Sequence, residues 1–162
     1  MGITSIQWTS TISKDGTVVP GYTFNPWRGC TKVAPGCANC YAAVDRSVSM
    51  HGIKWGPNGD RQIKAESGWK EPLAWNRAAI KAGERRQVFC ASLADVFEGR
   101  ETMPEAVWNA VETARRRLFT LIDATPNLDW LLLTKRPENI RQMWPRADVF
   151  DPDSPHKAYW PN

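Results

Sequence analysis

Three of the four cysteines of the chain, Cys30, Cys37 and Cys40, stand within eleven residues in a C-x6-C-x2-C pattern, and Cys90 stands alone. Glycine and proline lie between the first two, which predicts a loop that can turn its side chains inward onto one centre. Three thiolates from one loop suit an iron–sulfur cluster with one iron left open, because such clusters are held by cysteine sulfurs. The rest of the fold must enclose this cysteine loop, residues 29–41.

The same cysteines also permit a structural zinc site. A C-x2-C pair is a zinc signature, and structural zinc takes four ligands, so a further Cys or His would have to join the loop. His51 is the local candidate, and Cys90 is the other. Cys90 lies in an apolar stretch, however, where a small buried core residue is the simpler expectation.

The length, composition and cysteine content indicate the class of protein and its cellular compartment. The 162 residues are about the length of one domain, the start lacks the basic and apolar segments of a secretory signal, and no apolar stretch reaches membrane-spanning length. Clustered cysteines in such a chain predict a reducing cytoplasm and metal chemistry rather than disulfides. The net charge of +4 permits an anionic partner such as nucleic acid without requiring one. The nine tryptophans are scattered, and packing is the expected role of most of them.

Apolar patterning predicts strands that alternate with helices. An Asp15-Gly16 turn between β-prone segments predicts an N-terminal β-hairpin. Pro72 and Gly83 are a typical start and stop for a helix. The predicted strands cover 3–8, 22–24, 87–91 and 129–134, and the predicted helices cover 41–50, 73–82, the segment after Thr102 to about Leu121, and 137–144.

The longest predicted helix has two features that a structure can test. Thr102-Met-Pro-Glu105 has the spacing of a capping box, in which the hydroxyl and the carboxylate each satisfy a backbone amide. Apolar residues then recur every three or four positions from Val107 to Leu121, which predicts one buried face. Arg115, Arg116 and Arg117 are interpreted as its solvated flank.

The alternation of strands and helices predicts a parallel sheet with right-handed crossovers. In such sheets and barrels, functional residues collect at the carboxyl ends of the strands. The cysteine loop, Ser92–Asp95 and Thr134–Arg136 each follow a predicted strand. We therefore expect a thiolate cluster, a carboxylate and a lysine around one mouth.

Four stretches of the sequence form recognisable motifs: Trp8-Thr9, Asn25-Pro-Trp-x-Gly-Cys30-Thr-Lys-Val-x-Pro-Gly-Cys37-x-x-Cys40-Tyr41-Ala, Val88-Phe-Cys-x-Ser-Leu-x-Asp95-Val-Phe and Leu132-Leu-Thr-Lys135-Arg-Pro-Glu-Asn. They resemble the motifs of an uncharacterised phage and bacterial family. Its members carry a three-cysteine motif and look like radical S-adenosylmethionine (SAM) proteins related to spore photoproduct lyase. The resemblance covers Ile6 to Trp144, with Thr11 to Gly21 as an insertion.

The resemblance implies a [4Fe–4S] cluster on the three cysteines of the loop, with SAM bound at the open iron. Reductive cleavage of SAM would give a 5′-deoxyadenosyl radical, chemistry that belongs to the cofactor while the protein positions it. By position in the fold, Ser92 and Asp95 would meet the methionine ammonium and Lys135 its carboxylate. Tyr41 would take the packing role of the aromatic residue that commonly precedes the last cysteine.

The resemblance also implies the architecture: a partial parallel (β/α) barrel of the radical SAM type, with about three of six βα units in residues 1–144. Family members run on for about another hundred residues, in keeping with a complete barrel. The chain is therefore expected to be truncated, with 145–162 as an irregular tail, which leaves open whether these residues alone are active.

The implied setting is the cytoplasm of a bacterium or a phage-infected host, without a membrane. The implied partners are nucleic acid, an electron donor such as flavodoxin or ferredoxin, and a separately encoded partner protein. A zinc-stabilised nucleic-acid-binding module without catalysis is the alternative function.

Overall fold

The computed structural model describes residues 2–44 and 52–145. Single 3₁₀ turns occur at 7–9, 35–37, 66–70, 100–102 and 137–139. The strands are β1 (Thr11–Ile12), β2 (Val18–Val19), β3 (Tyr22–Phe24), β4 (Trp27–Arg28), β5 (Gln62–Ile63), β6 (Arg86–Cys90) and β7 (Leu128–Leu132). The helices are α1 (Tyr41–Val44), α2 (Glu71–Ala82), α3 (Glu105–Asp123) and α4 (Ile140–Met143).

Three parallel strands form the central sheet, in the order β3-β6-β7. Phe24 pairs with Cys90 and Cys90 with Leu132, so the three strands end at the same level. The predicted parallel arrangement is confirmed. Within the described ranges the sheet is open, with β3 and β7 at its edges, and the fold is mixed α/β without a closed barrel. The antiparallel pairs β1-β2 and β4-β5 complete the strands.

The N-terminal segment is only partly as predicted. The hairpin is confirmed: Gly16 has φ +84°, and Asp15 Oδ1 accepts a hydrogen bond of 2.9 Å from the Thr17 amide. The strand predicted over 3–8 is wrong, because only Ile3 bridges to the sheet. Thr9 instead closes a 3₁₀ turn, donating its hydroxyl to the Ile6 carbonyl at 2.7 Å, a local bond that competes with strand pairing.

Helix α2 begins and ends where its sequence indicates. Pro72 lies in the first turn, where a missing amide costs no hydrogen bond. Gly83 follows the last turn with φ +64°, the left-handed conformation typical of a helix end. Helix α2 and helix α3 connect the three strands of the parallel sheet.

The capping box predicted for α3 is wrong. The helix begins after Pro104 without a side-chain cap. The Thr102 hydroxyl instead donates to Glu98 Oε1 and to the Gly99 carbonyl, both at 3.0 Å. A buried carboxylate is unfavourable unless it is hydrogen bonded, whereas water can satisfy the backbone amides at a helix end. The Thr102 hydroxyl therefore bonds Glu98 and does not cap α3.

The apolar face of α3 is confirmed, but one arginine belongs to it. Val111, Ala114 and Leu118 are buried, and Arg115 is only 1% exposed, which corrects its prediction as part of a solvated flank. Position 115 lies four residues after Val111 and three before Leu118, on the same stripe. Arg115 donates at 2.8 Å to the carbonyls of Val96 and Glu98, so its charge is hydrogen bonded inside the protein.

The other two arginines of that run are exposed, as predicted. Arg116 pairs with Glu112 on α3, and Arg117 pairs with Glu66 across to the 3₁₀ turn before α2. The Arg117 guanidinium also lies 4.5 Å from the ring centre of Trp69.

One core of aromatic and aliphatic side chains lies against the sheet. Phe24 is fully buried and meets the rings of Trp69 and Trp130 edge-on at 5.4 and 5.5 Å. Six of the eight tryptophans that the structure describes belong to this core or pack against it, which confirms packing as the role of most of them. The continuous apolar run within 129–134 predicts a strand covered on both faces, and this is wrong: in β7 only Leu128 is buried, and residues 129–132 are half-buried, as suits an edge strand.

Some predictions fall wholly or partly outside the described residues. Only the first turn of the helix predicted over 41–50 is described, as α1. His51 and the predicted tail beyond residue 145 lie outside the description. Among the described residues, no helix is long and apolar enough to cross a membrane.

Candidate functional site

A cavity of about 420 Å³ lies where the three parallel strands end. Its wall includes residues of the cysteine loop, of the segment after β6 and of the segment after β7. The convergence predicted from the strand ends is therefore present. Every residue predicted to bind a metal or cofactor lines this one cavity: Cys30, Cys37, Cys40, Tyr41, Ser92, Asp95 and Lys135.

The three cysteines border the cavity as free thiols, with Cys37 buried and the other two half-buried. They do not form a ready single-ion site: in the described part of the chain, no three Cys, His, Asp or Glu side chains are grouped to hold a metal ion. The loop thus brings its thiols to one wall without closing them onto one point.

Gly29 sets the direction in which the cysteine loop leaves β4. It has φ +103°, a conformation that favours glycine, and its amide donates to the Leu93 carbonyl at 2.9 Å. A Cβ atom at this position would lie 2.4 Å from the carbonyl oxygen of Asp60. The residue before Cys30 must therefore be glycine for the loop to pass between these two segments.

The first two thiols of the loop have different electrostatic surroundings. Burial, followed by the charges of Glu98 and Asp95, raises the pKa of the Cys30 thiol to about 12. Hydrogen bonding from the backbone amide of Val33 lowers the pKa of Cys37 below its ordinary value. Cys37 therefore forms a thiolate more readily than Cys30.

Asp95 is buried and already has four donors within the protein. Its Oδ2 lies 2.7 Å from Arg136 Nη1 and accepts a bond of 3.1 Å from the Lys135 amide. Its Oδ1 accepts bonds from the Thr134 hydroxyl at 2.8 Å and the Phe97 amide at 3.0 Å. Asp95 therefore joins the segments after β6 and β7, and its predicted contact with a ligand ammonium stays a prediction.

A second buried pair lies beside the first. Glu98 is fully buried, and its two carboxylate oxygens accept hydrogen bonds from Nε and Nη2 of Arg61, at 2.8 and 2.7 Å. This is the bidentate geometry that makes arginine–carboxylate pairs strong. Arg136 Nη2 lies 3.8 Å from the same carboxylate. We call Arg61, Asp95, Glu98 and Arg136 the buried charge network; its two cations balance its two carboxylates.

Ser92 connects the cavity wall to the root of the cysteine loop. The Asn25 amide group donates to the Ser92 hydroxyl at 3.1 Å, and Asn25 Oδ1 accepts a bond of 2.8 Å from the Leu93 amide. The Tyr41 hydroxyl donates to the Ser92 carbonyl at 3.0 Å. The predicted residues Ser92 and Tyr41 are thus in direct contact, and both line the cavity.

Two further residues of the cavity wall carry nitrogen donors. Lys135 is exposed, and its ammonium forms no ion pair with the residues that the structure describes. The indole N–H of Trp55 is buried and has no acceptor among those residues. An orphaned donor on a cavity wall is a feature that a bound group would satisfy.

Sequence reasoning missed most of the buried charge network. Arg61 falls in a glycine-rich stretch without periodicity, and Glu98 falls in the loop after β6. The positions of Arg61 and Glu98 relative to Asp95 in the sequence do not form a recognisable motif. Arg136 stands beside Lys135 at a strand end, but only the structure separates the exposed lysine from the buried arginine.

The chain matches the model of the family described as "Protein of unknown function (DUF5131)" over residues 3–161, and it belongs to that family. Searches of the curated proteins and of the solved structures gave no match.

Proposed function

We propose that this member of the DUF5131 family is a radical SAM protein. In this proposal Cys30, Cys37 and Cys40 hold a [4Fe–4S] cluster, and the cavity beside them receives SAM. The open parallel sheet would then be part of a radical SAM type (β/α) barrel.

One observation carries the proposal. Seven residues chosen for cluster and SAM binding, from three separate segments, line the same cavity at the carboxyl edge of a parallel sheet. Ligand sites of α/β proteins are found at this edge. Such an agreement over distant parts of the chain is difficult to attribute to packing alone.

The residues present fit an iron–sulfur cluster better than a single zinc ion. Thiols spread along a cavity wall suit a group of several atoms, whereas zinc needs four donors at about 2.0–2.3 Å from one point. Cys90 cannot be the fourth donor, since it is fully buried in β6 and is not part of the cavity wall. When bound, the cluster supplies the electron for reductive cleavage of SAM.

The residues of the chain would orient SAM and exclude water. Lys135, with its ammonium free at the cavity wall, would bind the methionine carboxylate. Ser92 and Asp95 would lie on the ammonium side, where Asp95 would share its charge between the ligand and Arg136. Tyr41 and Trp55 offer aromatic surface at the mouth, and the Trp55 indole could donate to the ligand.

The partners follow from the chemistry. Reduction of the cluster requires an electron donor, such as a flavodoxin or a ferredoxin. We also propose nucleic acid as the substrate class, because the net charge of +4 favours an anionic partner. A separately encoded protein is proposed as a further partner, which would supply residues that the site needs from another chain.

Anaerobic purification tests the proposal. We expect a brown protein with a broad visible absorption band and bound iron and sulfide, and we expect SAM to alter the electron paramagnetic resonance spectrum of the reduced cluster. A colourless protein that holds stoichiometric zinc, and stays colourless after reconstitution with iron and sulfide, would favour the zinc-stabilised nucleic-acid-binding module instead.

A further inference from the structure

Thr31, the residue after Cys30, is held by three charged side chains of the buried charge network. Its amide donates to Glu98 Oε1 at 2.8 Å. Its hydroxyl accepts a bond of 2.9 Å from Arg61 Nη2, and its carbonyl accepts a bond of 2.8 Å from Arg136 Nη2. Every polar group of Thr31 is therefore fixed by a charge-assisted hydrogen bond, the strong kind.

The outer part of the cysteine loop has a different environment. Apart from Cys37, residues 32–39 are exposed. Within this outer part, the Lys32 ammonium donates a hydrogen bond of 2.9 Å to the Ala38 carbonyl. The buried charge network thus holds the Cys30 end of the loop, while the segment that carries Cys37 and Cys40 lies over the surface.

The three charged residues that hold Thr31 come from distant parts of the chain. Arg61 directly precedes β5, Glu98 follows β6, and Arg136 follows β7. Of these three, Arg136 is the one that also pairs with Asp95. It links one cysteine ligand to two strand ends, and it is only 2% exposed.

We propose that Arg136 is a positioning residue, which acts through Thr31 to fix Cys30 as the preset ligand of the loop. This inference rests on the proposed function. Outer groups that orient a metal ligand raise its affinity for the metal, and their loss typically weakens binding about 10- to 100-fold. The guanidinium also places a cation beside a site that holds thiolates.

The chain offers a matched control for Arg136. Arg115 is equally buried, at 1% exposure, and also donates to backbone carbonyls, but those of Val96 and Glu98 rather than of the cysteine loop. Arg136→Gln and Arg115→Gln both remove one buried guanidinium. A general loss of stability should therefore affect both variants, and a loss of ligand positioning only the first.

The experiment measures metal affinity in both variants and in the unaltered chain. Reconstituted proteins are equilibrated with an iron chelator, and the midpoint potential of the cluster is recorded. In parallel, unloaded proteins are titrated with Cd²⁺, which thiolates bind well, and the sulfur-to-metal absorption band is followed. We expect Arg136→Gln to bind both iron and Cd²⁺ about 10- to 100-fold more weakly and to shift the potential to a more negative value. Arg115→Gln should match the unaltered chain.

Equal Cd²⁺ affinities in the two variants would overturn the inference. Failure of the unaltered chain to load a cluster would count against the proposed function instead, because the Cd²⁺ comparison still tests positioning. If Arg136→Gln does not fold, Arg136→Lys decides the question. Lysine keeps a buried cation beside Asp95 but lacks the second guanidinium nitrogen that reaches the Thr31 carbonyl, and an unchanged Cd²⁺ affinity in that folded variant would equally overturn the inference.

Discussion

Arg136 and Asp95 form a buried ion pair, with 2.7 Å between Nη1 and Oδ2 and side-chain exposures of 2% and 4%. The pair joins the segment after the third parallel strand to the segment after the second. Both segments line the cavity, so the shape of the cavity depends on this ion pair. Because neither group meets water, each charge requires the other, and the pair should fail as a unit when one member is changed.

Replacing Asp95 tests this dependence. We expect Asp95→Asn to lower the free energy of unfolding by about 3–5 kcal/mol, because it leaves two buried cations, Arg61 and Arg136, with the single carboxylate of Glu98. Urea unfolding followed by tryptophan fluorescence measures the change. Asp129→Asn is the control: it breaks an ion pair with Arg85 that is half-exposed, and it should cost about 1 kcal/mol or less. Similar losses in both variants would mean that water reaches the Asp95 pair.

A methyl group at Gly29 should displace the cysteine loop. We expect Gly29→Ala to destabilise the protein by roughly 1–3 kcal/mol, since alanine at φ +103° is strained and its Cβ would lie 2.4 Å from the Asp60 carbonyl. Gly36→Ala, in the same loop, has nothing within 4 Å of the added Cβ and should behave as the unaltered chain. Thermal unfolding and metal content measure both. A Gly29→Ala protein of normal stability and metal content would show that the loop adjusts easily.

Ala91 holds the turn between β6 and Ser92 in an unusual conformation. It has φ +66° and is fully buried, and its amide donates to the Phe24 carbonyl at 3.0 Å. We expect Ala91→Gly to change stability by about 1 kcal/mol or less, because relief of strain offsets the greater freedom of the unfolded chain. Ala91→Val should lose roughly 1–3 kcal/mol, since a β-branched residue is strained at positive φ. Equal effects of the two substitutions would indicate that the backbone relaxes to negative φ.

The parts of the fold that could be predicted from sequence depend on local signals. Pro72 and Gly83 bound α2 because each restricts or permits its own backbone angles, whatever the tertiary structure. The apolar stretches of β6 and β7 identified two parallel strands, and the strand ends identified the cavity wall. These features need only neighbouring residues, so the sequence carries them directly.

Two of the errors come from polar contacts inside the fold. Thr102 has the spacing of a helix cap, but its hydroxyl is taken by the buried Glu98 carboxylate. Arg115 stands in a run of three arginines, but two carbonyls of another segment draw it inward. A buried charge is stable only with partners, and the partners of Arg61, Glu98 and Arg136 lie up to 105 residues away in the chain. No local pattern records such a partner.

The last prediction compares Cys37 with Cys90, which differ in their place in the fold. Cys37 lies on the cavity wall, whereas Cys90 is fully buried in the central strand and burial raises the pKa of its thiol above the ordinary value. We expect Cys37→Ala to abolish cluster loading and Cys90→Ala to leave loading intact, at a cost of about 1 kcal/mol in unfolding free energy for the lost core packing. Iron and sulfide content after anaerobic reconstitution measures loading. Equal loss from both variants would make Cys90 a ligand and would contradict the three-cysteine assignment, because a thiol in the core could bind metal only if β6 moved.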